Sequence, residues 1–353
     1  MMAHRSAPLP FTWTKPADAL DLRSISGACW SRIIGKHTMH EHDCDEHCSH
    51  DDHEHHEHSP LEELVTVRDL IRYATSQFNR AGLFFGHGSI DAYDEAVYLV
   101  LRTLHLPIDR LEPFLDACIP TGERIEVLDI IQRRVEERIP AAYLTREAWL
   151  GDFRFYVDER VIVPRSFCFE LLREGFSPWI SDDTQIQRAL DLCTGSGCLA
   201  ILMAHHYPSA QVDAIDLSED ALDVARQNVT DYGLQDVVRL IRSDVFDALD
   251  DERYDLILSN PPYVTEEAMQ ALPDEYLHEP RMALAAGNDG MDIVRRIIAG
   301  ARQHLTDDGI LVVEVGHNRE LVEAAFPDLE FVWLTSASEE EKVFLLRADQ
   351  LPA

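Results

Sequence analysis

The chain has 353 residues, of which 46% are apolar, and its formal net charge at pH 7 is −33. This length accommodates two domains with sizeable cores. A surface so acidic disfavours nucleic-acid binding, which depends on Lys and Arg, and suits a basic partner. The sequence contains no run of 18 apolar residues, no signal-peptide pattern and no disulfide framework among its seven cysteines. We therefore expect a cytoplasmic protein without a membrane span.

Residues 1–60 differ in composition from the rest, and we predict a disordered N-terminal extension there. Residues 41–58 consist of seven His, eight Asp or Glu, two Cys and one Ser, which cannot bury apolar area. Four side chains that bind metals well are closely spaced here: Cys44, His47, Cys48 and His50. We expect any metal binding by them to be adventitious, and the protein to require no metal.

The first 38 residues have a different character again, because they carry a net charge of +3. The composition changes abruptly at Met39, which makes Met39 an alternative translation start to Met1. A basic leader could instead be a transit peptide. The sequence leaves these alternatives open.

From residue 61 the pattern is helical, and we predict a helical domain over residues 61–145. In residues 61–74 the apolar side chains recur at spacings of three and four, as on one face of an α-helix. Ser89 is placed to cap a further helix over residues 91–105, which has acidic residues in its first turn.

The remainder predicts a β-hairpin and then an α/β domain. Apolar and aromatic residues alternate around Asp158 and Glu159, so we predict a hairpin linker over residues 146–166. Strands and helices alternate over residues 167–353, which is typical of a Rossmann-like doubly wound sheet. The last two strands are expected to be antiparallel to each other.

A glycine-rich loop between a strand and a helix predicts a ligand site. The strand over residues 188–193 leads to Gly195 and Gly197, which permit a tight turn. The helix from Cys198 offers free N–H groups to an anion. Asp216 ends the next strand, 19 residues after Gly197, a spacing that fits a nicotinamide dinucleotide or S-adenosylmethionine.

The corner Asn-Pro-Pro-Tyr at residues 260–263 follows the fourth strand and distinguishes these ligands. The Asn260 side chain and the Pro261 carbonyl can both accept hydrogen bonds from one amino or amide group, and Tyr263 can pack on a flat substrate. Three strands also end on or near an aspartate: Asp191, Asp216 and Asp244. This order of motifs indicates a class I S-adenosylmethionine-dependent methyltransferase.

Roughly residues 63–353 resemble the HemK/Prm family of N(5)-glutamine methyltransferases, and within it the branch that acts on large-subunit ribosomal protein L-three. Beyond the motifs above, the resemblance rests on residues 81–88, 94–97, 140–149 and 155–166. It departs at Phe167 and Cys168, where the branch usually has Pro-Ile. The resemblance implies S-adenosylmethionine as cofactor, methyl transfer to a glutamine side-chain amide, and a helical domain that helps to hold a basic ribosomal protein.

Site roles follow from these motifs and the resemblance. The expected cofactor-binding residues are Asp191, Cys193, Thr194, Gly195, Ser196, Gly197, Asp216, Asp244, Phe246 and Asn260. The expected catalytic residues are Asn260, Pro261 and Tyr263, and the expected substrate contacts are Asn260, Pro261, Pro262, Tyr263, Arg165 and Glu279. We expect Asp216 on the ribose hydroxyls, Asp244 on the adenine amino group and Phe246 on the adenine face. Arg165 and Glu279 either grip the cofactor carboxylate or the substrate backbone, or form an interdomain salt bridge.

Three other functions compete with this interpretation. A release-factor glutamine methyltransferase shares the chemistry, but its segments differ from those above. An amino methyltransferase of a nucleic-acid base also uses Asn-Pro-Pro-Tyr, but needs a basic face. A metal-binding sensor with an idle methyltransferase fold conflicts with the intact motif set.

Overall fold

The computed structural model of the chain describes residues 59–335 and 341–352. The predicted extension lies outside the described residues except for Ser59 and Pro60, which begin the first helix. The four candidate metal ligands and the alternative start at Met39 also lie outside them. No helix among the described residues is long and apolar enough to cross a membrane. In this same part of the chain, no group of three or more His, Cys, Asp or Glu side chains could hold a metal ion.

Helices come first along the described chain. They are α1 (Pro60–Glu63), α2 (Val67–Ala81), α3 (Ala92–Thr103), α4 (Thr121–Glu136) and α5 (Ala141–Thr145). α2 begins with a reciprocal cap, in which the Thr66 side chain accepts from the Asp69 N–H and the Asp69 carboxylate accepts from the Thr66 N–H. α2, α3 and α4 bury their apolar faces in one cluster of their own, which includes Leu70, Leu99 and Ile131.

The start of α3 differs from the prediction, because Asp91 and not Ser89 caps it. The Asp91 carboxylate accepts from the N–H groups of Tyr93 and Asp94, each at 2.9 Å. A carboxylate directly before the helix reaches two free N–H groups at once, whereas Ser89 lies two residues too early.

The hairpin is shorter than predicted and turns elsewhere. Its strands are β1 (Ala148–Leu150) and β2 (Phe153–Phe155), so the turn lies at Gly151 and not at Asp158. Gly151 has φ +60°, which suits the tight turn of a two-residue hairpin. Asp158 instead accepts from the Arg160 N–H at 3.1 Å and forms a local turn beyond the hairpin.

A seven-stranded sheet follows, in the order β5-β4-β3-β6-β7-β9-β8. Its strands are β3 (Arg188–Leu192), β4 (Gln211–Asp216), β5 (Val238–Arg242), β6 (Tyr254–Ser259), β7 (Leu305–Glu314), β8 (Val332–Leu334) and β9 (Val343–Arg347). β3 to β7 are parallel, whereas β9 is antiparallel to both β7 and β8. This confirms the predicted α/β fold class and the antiparallel final pair.

Helices cover both faces of this sheet. They are α6 (Phe167–Arg173), α7 (Cys198–His206), α8 (Glu219–Asp231), α9 (Glu266–Met269), α10 (Asp292–His304) and α11 (Arg319–Ala325). Successive strand residues point to opposite faces, so Leu256 and Leu258 join one buried cluster with α7, while Ile257 joins the other with α10. Connections from β3 and β6 run in opposite directions across the sheet. A crevice therefore opens at the carboxyl ends of these two neighbouring strands.

Candidate active site

Two cavities meet at the carboxyl ends of the parallel strands. The glycine-loop cavity lies over the loops that follow β3, β4 and β5, and is lined by Cys193, Gly195, Asp216, Ser243, Asp244 and Asn260 among others. The Tyr263 cavity lies on the other side of the Asn-Pro-Pro-Tyr corner, and is lined by Arg165, Asn260, Pro261, Tyr263 and Tyr276 among others. Asn260, Pro262, Ile162 and Ala283 line both cavities. The corner therefore stands between them.

The glycine loop brings backbone close to the first cavity. Cys193, Gly195 and Gly197 all have positive φ, at +63°, +54° and +79°. A Cβ on Gly195 would meet no atom within 4 Å, whereas one on Gly197 would lie 3.1 Å from the Ala225 Cβ. Gly195 thus borders the open cavity, while Gly197 lets α7 and α8 approach each other.

Asp191 lies beneath this loop and not in the cavity wall. Its Oδ2 accepts from the Thr194 hydroxyl at 2.6 Å and from the Ala200 N–H at 3.1 Å. Burial raises the pKa of Asp191 to about 7, although both bonds lower it. Ser196 is buried as well, and its carbonyl accepts from Asn228 at 2.8 Å. Of the predicted loop residues, only Cys193 and Gly195 line the cavity.

Two of the three predicted aspartates, Asp216 and Asp244, line this cavity. Asp216 accepts from the N–H groups of Gly195 and Ser218, each at 2.9 Å and each on a different oxygen. Each oxygen keeps a lone pair for a ligand hydroxyl. Asp244 is half-buried and pairs with Arg296 through Oδ1 at 2.7 Å, so that Oδ2 can accept from a ligand.

The structure does not bring Phe246 to the cavity, contrary to the prediction. Its ring stacks on His304 at 4.7 Å between centroids and packs over Gly300. Val245 adopts φ +56°, so its own side chain lines the cavity and Phe246 enters the core beneath. A phenyl ring removes more apolar area from water in that core. Val245 and Ile293 supply the apolar wall beside Asp244.

Tyr263 is held at both of its polar ends. Its carbonyl accepts from Asn318 Nδ2 at 2.6 Å, and its hydroxyl donates to the buried Glu314 at 3.3 Å. The other oxygen of Glu314 accepts from the Ser166 hydroxyl at 2.6 Å and from the Phe167 N–H at 2.9 Å. At Phe167 the chain departs from the branch it resembles, and a proline there could not donate this bond.

Arg165 and Glu279 lie together, with Glu279 fully buried. The Arg165 guanidinium donates to both carboxylate oxygens, at 2.5 and 2.6 Å. Burial alone would raise the pKa of Glu279, but the bonds from Arg165 and the neighbouring His87 imidazole lower it to about 2. Of this pair, only Arg165 lines the Tyr263 cavity, and neither lines the glycine-loop cavity. The salt-bridge alternative therefore describes the observed geometry.

Three residues at the site were missed by the motifs. Arg160 lines the glycine-loop cavity, while Glu314 and Asn318 hold Tyr263. Glu314 could have been found, because an acidic residue at the end of an apolar strand needs a polar partner once it is buried. No local pattern distinguishes Asn318.

Comparison with known proteins identifies the family of the chain. The family model of the methyltransferase small domain matches residues 180–335. The ribosomal protein uL3 glutamine methyltransferase of Neisseria gonorrhoeae is 58% identical over 290 residues, which are 82% of this chain and 97% of that protein. Proteins of the same name from Bordetella pertussis and Bradyrhizobium diazoefficiens are 59% and 50% identical over 82% of this chain, and cover 97% and 92% of their own lengths.

Solved structures are more distant. The hMettl16 catalytic domain in complex with the MAT2A 3'UTR hairpin 1 is 16% identical, with a TM-score of 0.43 over 80% of this chain and 93% of that one. This likeness is too weak to bear on function. With 58% identity over nearly the full length of its relatives, the chain belongs to the family of ribosomal protein uL3 glutamine methyltransferases.

Proposed function

We propose that the protein transfers a methyl group from S-adenosylmethionine to the side-chain amide nitrogen of a glutamine in ribosomal protein uL3. The observation that supports this most directly is the meeting of two cavities at Asn260 and Pro262. A methyl donor on one side and an amide on the other would then face each other across the Asn-Pro-Pro-Tyr corner.

The residues of the glycine-loop cavity fit S-adenosylmethionine. Gly195 adds no side chain to the cavity, so a ligand can approach the loop backbone. Asp216 would accept from ribose hydroxyls and Asp244 from the adenine amino group, between the apolar side chains of Val245 and Ile293. The carboxylates also suit a positively charged ligand. When bound, S-adenosylmethionine supplies an electrophilic methyl group on a sulfonium.

The chain's own residues would act mainly by orientation. A primary amide nitrogen is a weak nucleophile, because its lone pair is delocalised into the carbonyl. Asn260 Oδ1 and the Pro261 carbonyl would accept its two hydrogens, which aims the lone pair and favours electron density on nitrogen. Such positioning can lower a barrier by about 7 kcal/mol or more. No strong general base is needed, since the nitrogen becomes acidic once it is methylated.

The substrate assignment follows the relatives, each named a ribosomal protein uL3 glutamine methyltransferase. Charge supports it, since a chain with a net charge of −33 attracts the basic proteins that bind ribosomal RNA. We place the reaction in the cytoplasm, where ribosomal proteins are made in bacteria. The same charge weighs against a nucleic-acid substrate.

The test is to incubate the protein and methyl-labelled S-adenosylmethionine with one of three substrates in parallel reactions: purified uL3, a release factor or DNA. We expect label on one glutamine of uL3, located by mass spectrometry of its peptides. Label on the release factor or DNA, but not on uL3, would overturn the substrate assignment. Tighter binding of NADH than of S-adenosylhomocysteine in calorimetry would overturn the cofactor assignment.

A further inference from the structure

An ion pair between the partly exposed Arg165 and the buried Glu279 holds the backbone next to the catalytic amide. The Glu279 side chain has 0% exposure and accepts two hydrogen bonds from the Arg165 guanidinium. Its Oε1 also accepts from the Val163 N–H at 2.9 Å. The same guanidinium donates to the Val163 carbonyl at 3.0 Å. Residues 163–165 are therefore fixed to one carboxylate at several points.

This backbone contacts Asn260 directly. The Arg165 carbonyl accepts from Asn260 Nδ2 in a long hydrogen bond of 3.4 Å. A carbonyl oxygen can only accept, so it selects the NH₂ side of the amide and leaves Asn260 Oδ1 turned away from Arg165. If the Asn260 amide rotated by half a turn, its NH₂ group would face the NH₂ group of the substrate glutamine. Both groups donate hydrogen bonds, so no bond could form between them. Its orientation thus decides whether Asn260 can accept.

We propose that Glu279 is a positioning residue, which acts through Arg165 to hold the Asn260 amide with its oxygen toward the acceptor nitrogen. The inference rests on the proposed function and adds a residue to its machinery. Arg165 does not reach the glycine-loop cavity, so this role replaces the expected grip on the cofactor carboxylate.

The same segment connects the pair to the helical region. Tyr276 lies under the Arg165 guanidinium, 5.3 Å from its ring centroid, and its ring contacts those of His87 and Phe84 at 4.5 and 5.7 Å. Glu279 therefore receives its position from both parts of the molecule.

The decisive variant is Glu279→Gln, which keeps the shape but loses the charge and one of the two bonds to Arg165. We expect its kcat to fall about tenfold or more, because the acceptor amide is no longer aligned. The dissociation constant of S-adenosylhomocysteine should stay within about twofold, since Glu279 lines neither cavity. The matched control is Glu266→Gln, which breaks the exposed pair with Arg281 on the same segment and should leave kcat unchanged.

A double-mutant cycle separates positioning from general damage. If Glu279 acts through Asn260, Glu279→Gln combined with Asn260→Ala should be no slower than Asn260→Ala alone. The inference would be overturned if the kcat losses of the two single variants multiplied in the double variant, or if Glu279→Gln had a normal kcat. It would also be overturned if Glu279→Gln lost as much S-adenosylhomocysteine affinity as kcat. Arg165→Lys, which keeps the charge but loses the bidentate geometry, replaces Glu279→Gln if that variant does not fold.

One readout does not depend on activity. The side-chain amide signals of Asn260, assigned by their loss in Asn260→Ala, should shift in the nuclear magnetic resonance spectrum of Glu279→Gln and not in that of Glu266→Gln. Unchanged signals would refute the positioning role. An inactive wild-type enzyme on uL3 would instead refute the proposed function, so the two failures are distinguishable.

Discussion

At the scale of single residues, the site is defined by two groups of polar atoms. Some have hydrogen-bond partners within the protein, and others remain able to bind a ligand. Asn260 Nδ2 is bound by Arg165, so its oxygen is left to accept. Each oxygen of Asp216 holds one backbone N–H and can accept once more. The site is therefore preorganised as a set of acceptors, which suits ligands that present hydroxyl, amino and amide hydrogens.

Asn260→Ala should separate catalysis from binding. We expect turnover to fall at least about a hundredfold, the scale for losing one aligned dipole, while S-adenosylhomocysteine affinity changes only a few-fold. Single-turnover kinetics and calorimetry measure the two quantities. Normal turnover in this variant would show that the amide is not oriented by Asn260.

Asp191 predicts a pH-dependent stability. Its pKa rises from 3.8 to about 7 on folding, so between these values the folded protein binds a proton that the unfolded chain has released. Stability therefore falls as the pH rises through this window. Asp191→Asn is always neutral and its oxygen can still accept both hydrogen bonds, but its Nδ2 replaces the buried, unpaired Oδ1. At pH 8 we therefore expect it to be more stable than wild type, by less than the roughly 4 kcal/mol that the pKa shift corresponds to.

Urea unfolding of Asp191→Asn and wild type at pH 5 and pH 8 provides the measurement. The advantage of the variant should shrink at pH 5. A difference in unfolding free energy that is the same at both pH values would contradict the role of the Asp191 charge.

At the scale of elements, the turn from β3 into α7 uses two glycines for different purposes. Both have positive φ, but Gly195 borders open space and Gly197 faces α8. The same backbone conformation thus serves the ligand at one position and helix packing at the other.

This difference gives a matched pair of variants. Gly195→Ala should lose about 1 kcal/mol of unfolding free energy from backbone strain, and should weaken S-adenosylhomocysteine binding because its methyl group enters the cavity. Gly197→Ala should lose roughly 2–3 kcal/mol, since strain is joined by crowding against Ala225. Measured against Ala225→Gly alone, Gly197→Ala should then lose mainly the part due to strain, because the Ala225 Cβ is absent from both proteins. Equal losses of stability in both single variants would refute this assignment.

At the scale of the whole molecule, the helical region and the sheet domain are joined through buried charges. Arg134 on α4 donates to Glu95 on α3 at 2.6 Å and to Glu275, beyond β6, at 3.3 Å. Glu275 also accepts from the Phe84 N–H at 3.0 Å. All three charged side chains are almost fully buried. Their geometry sets how the segment that contains Tyr276 and Glu279 meets the helical region.

Arg134→Met should therefore destabilise the protein by about 3 kcal/mol or more, because the buried Glu95 loses its ion-pair partner and the buried Glu275 is left with the more exposed Arg138. The control is Arg133→Met, which removes only an exposed pair with Glu137 on the same helix and should change stability by less than about 0.5 kcal/mol. Urea unfolding measures both. A loss for Arg134→Met as small as that of the control would show that the network does not stabilise the fold.

The sequence by itself determined the fold class, the order of the motifs and the edge of the sheet at which the candidate site lies. In an alternating β/α chain, the carboxyl ends of parallel strands meet at one edge of the sheet, so residues that follow different strands converge whatever lies between them. Gly195, Asp216, Asp244 and the Asn-Pro-Pro-Tyr corner were therefore predictable from spacing alone.

Only the tertiary structure decided which side chains face the cavities and with which residues they form hydrogen bonds and ion pairs. Arg165 and Glu279 are 114 residues apart in the sequence. The sequence therefore cannot show whether each charge binds a ligand or the other charge, because that depends on how the chain packs. Phe246 lies in the core because the positive φ of Val245 redirects the backbone. Asn318 donates to the Tyr263 carbonyl from a different loop. These choices depend on competition for burial and hydrogen bonds in three dimensions, which no local pattern encodes.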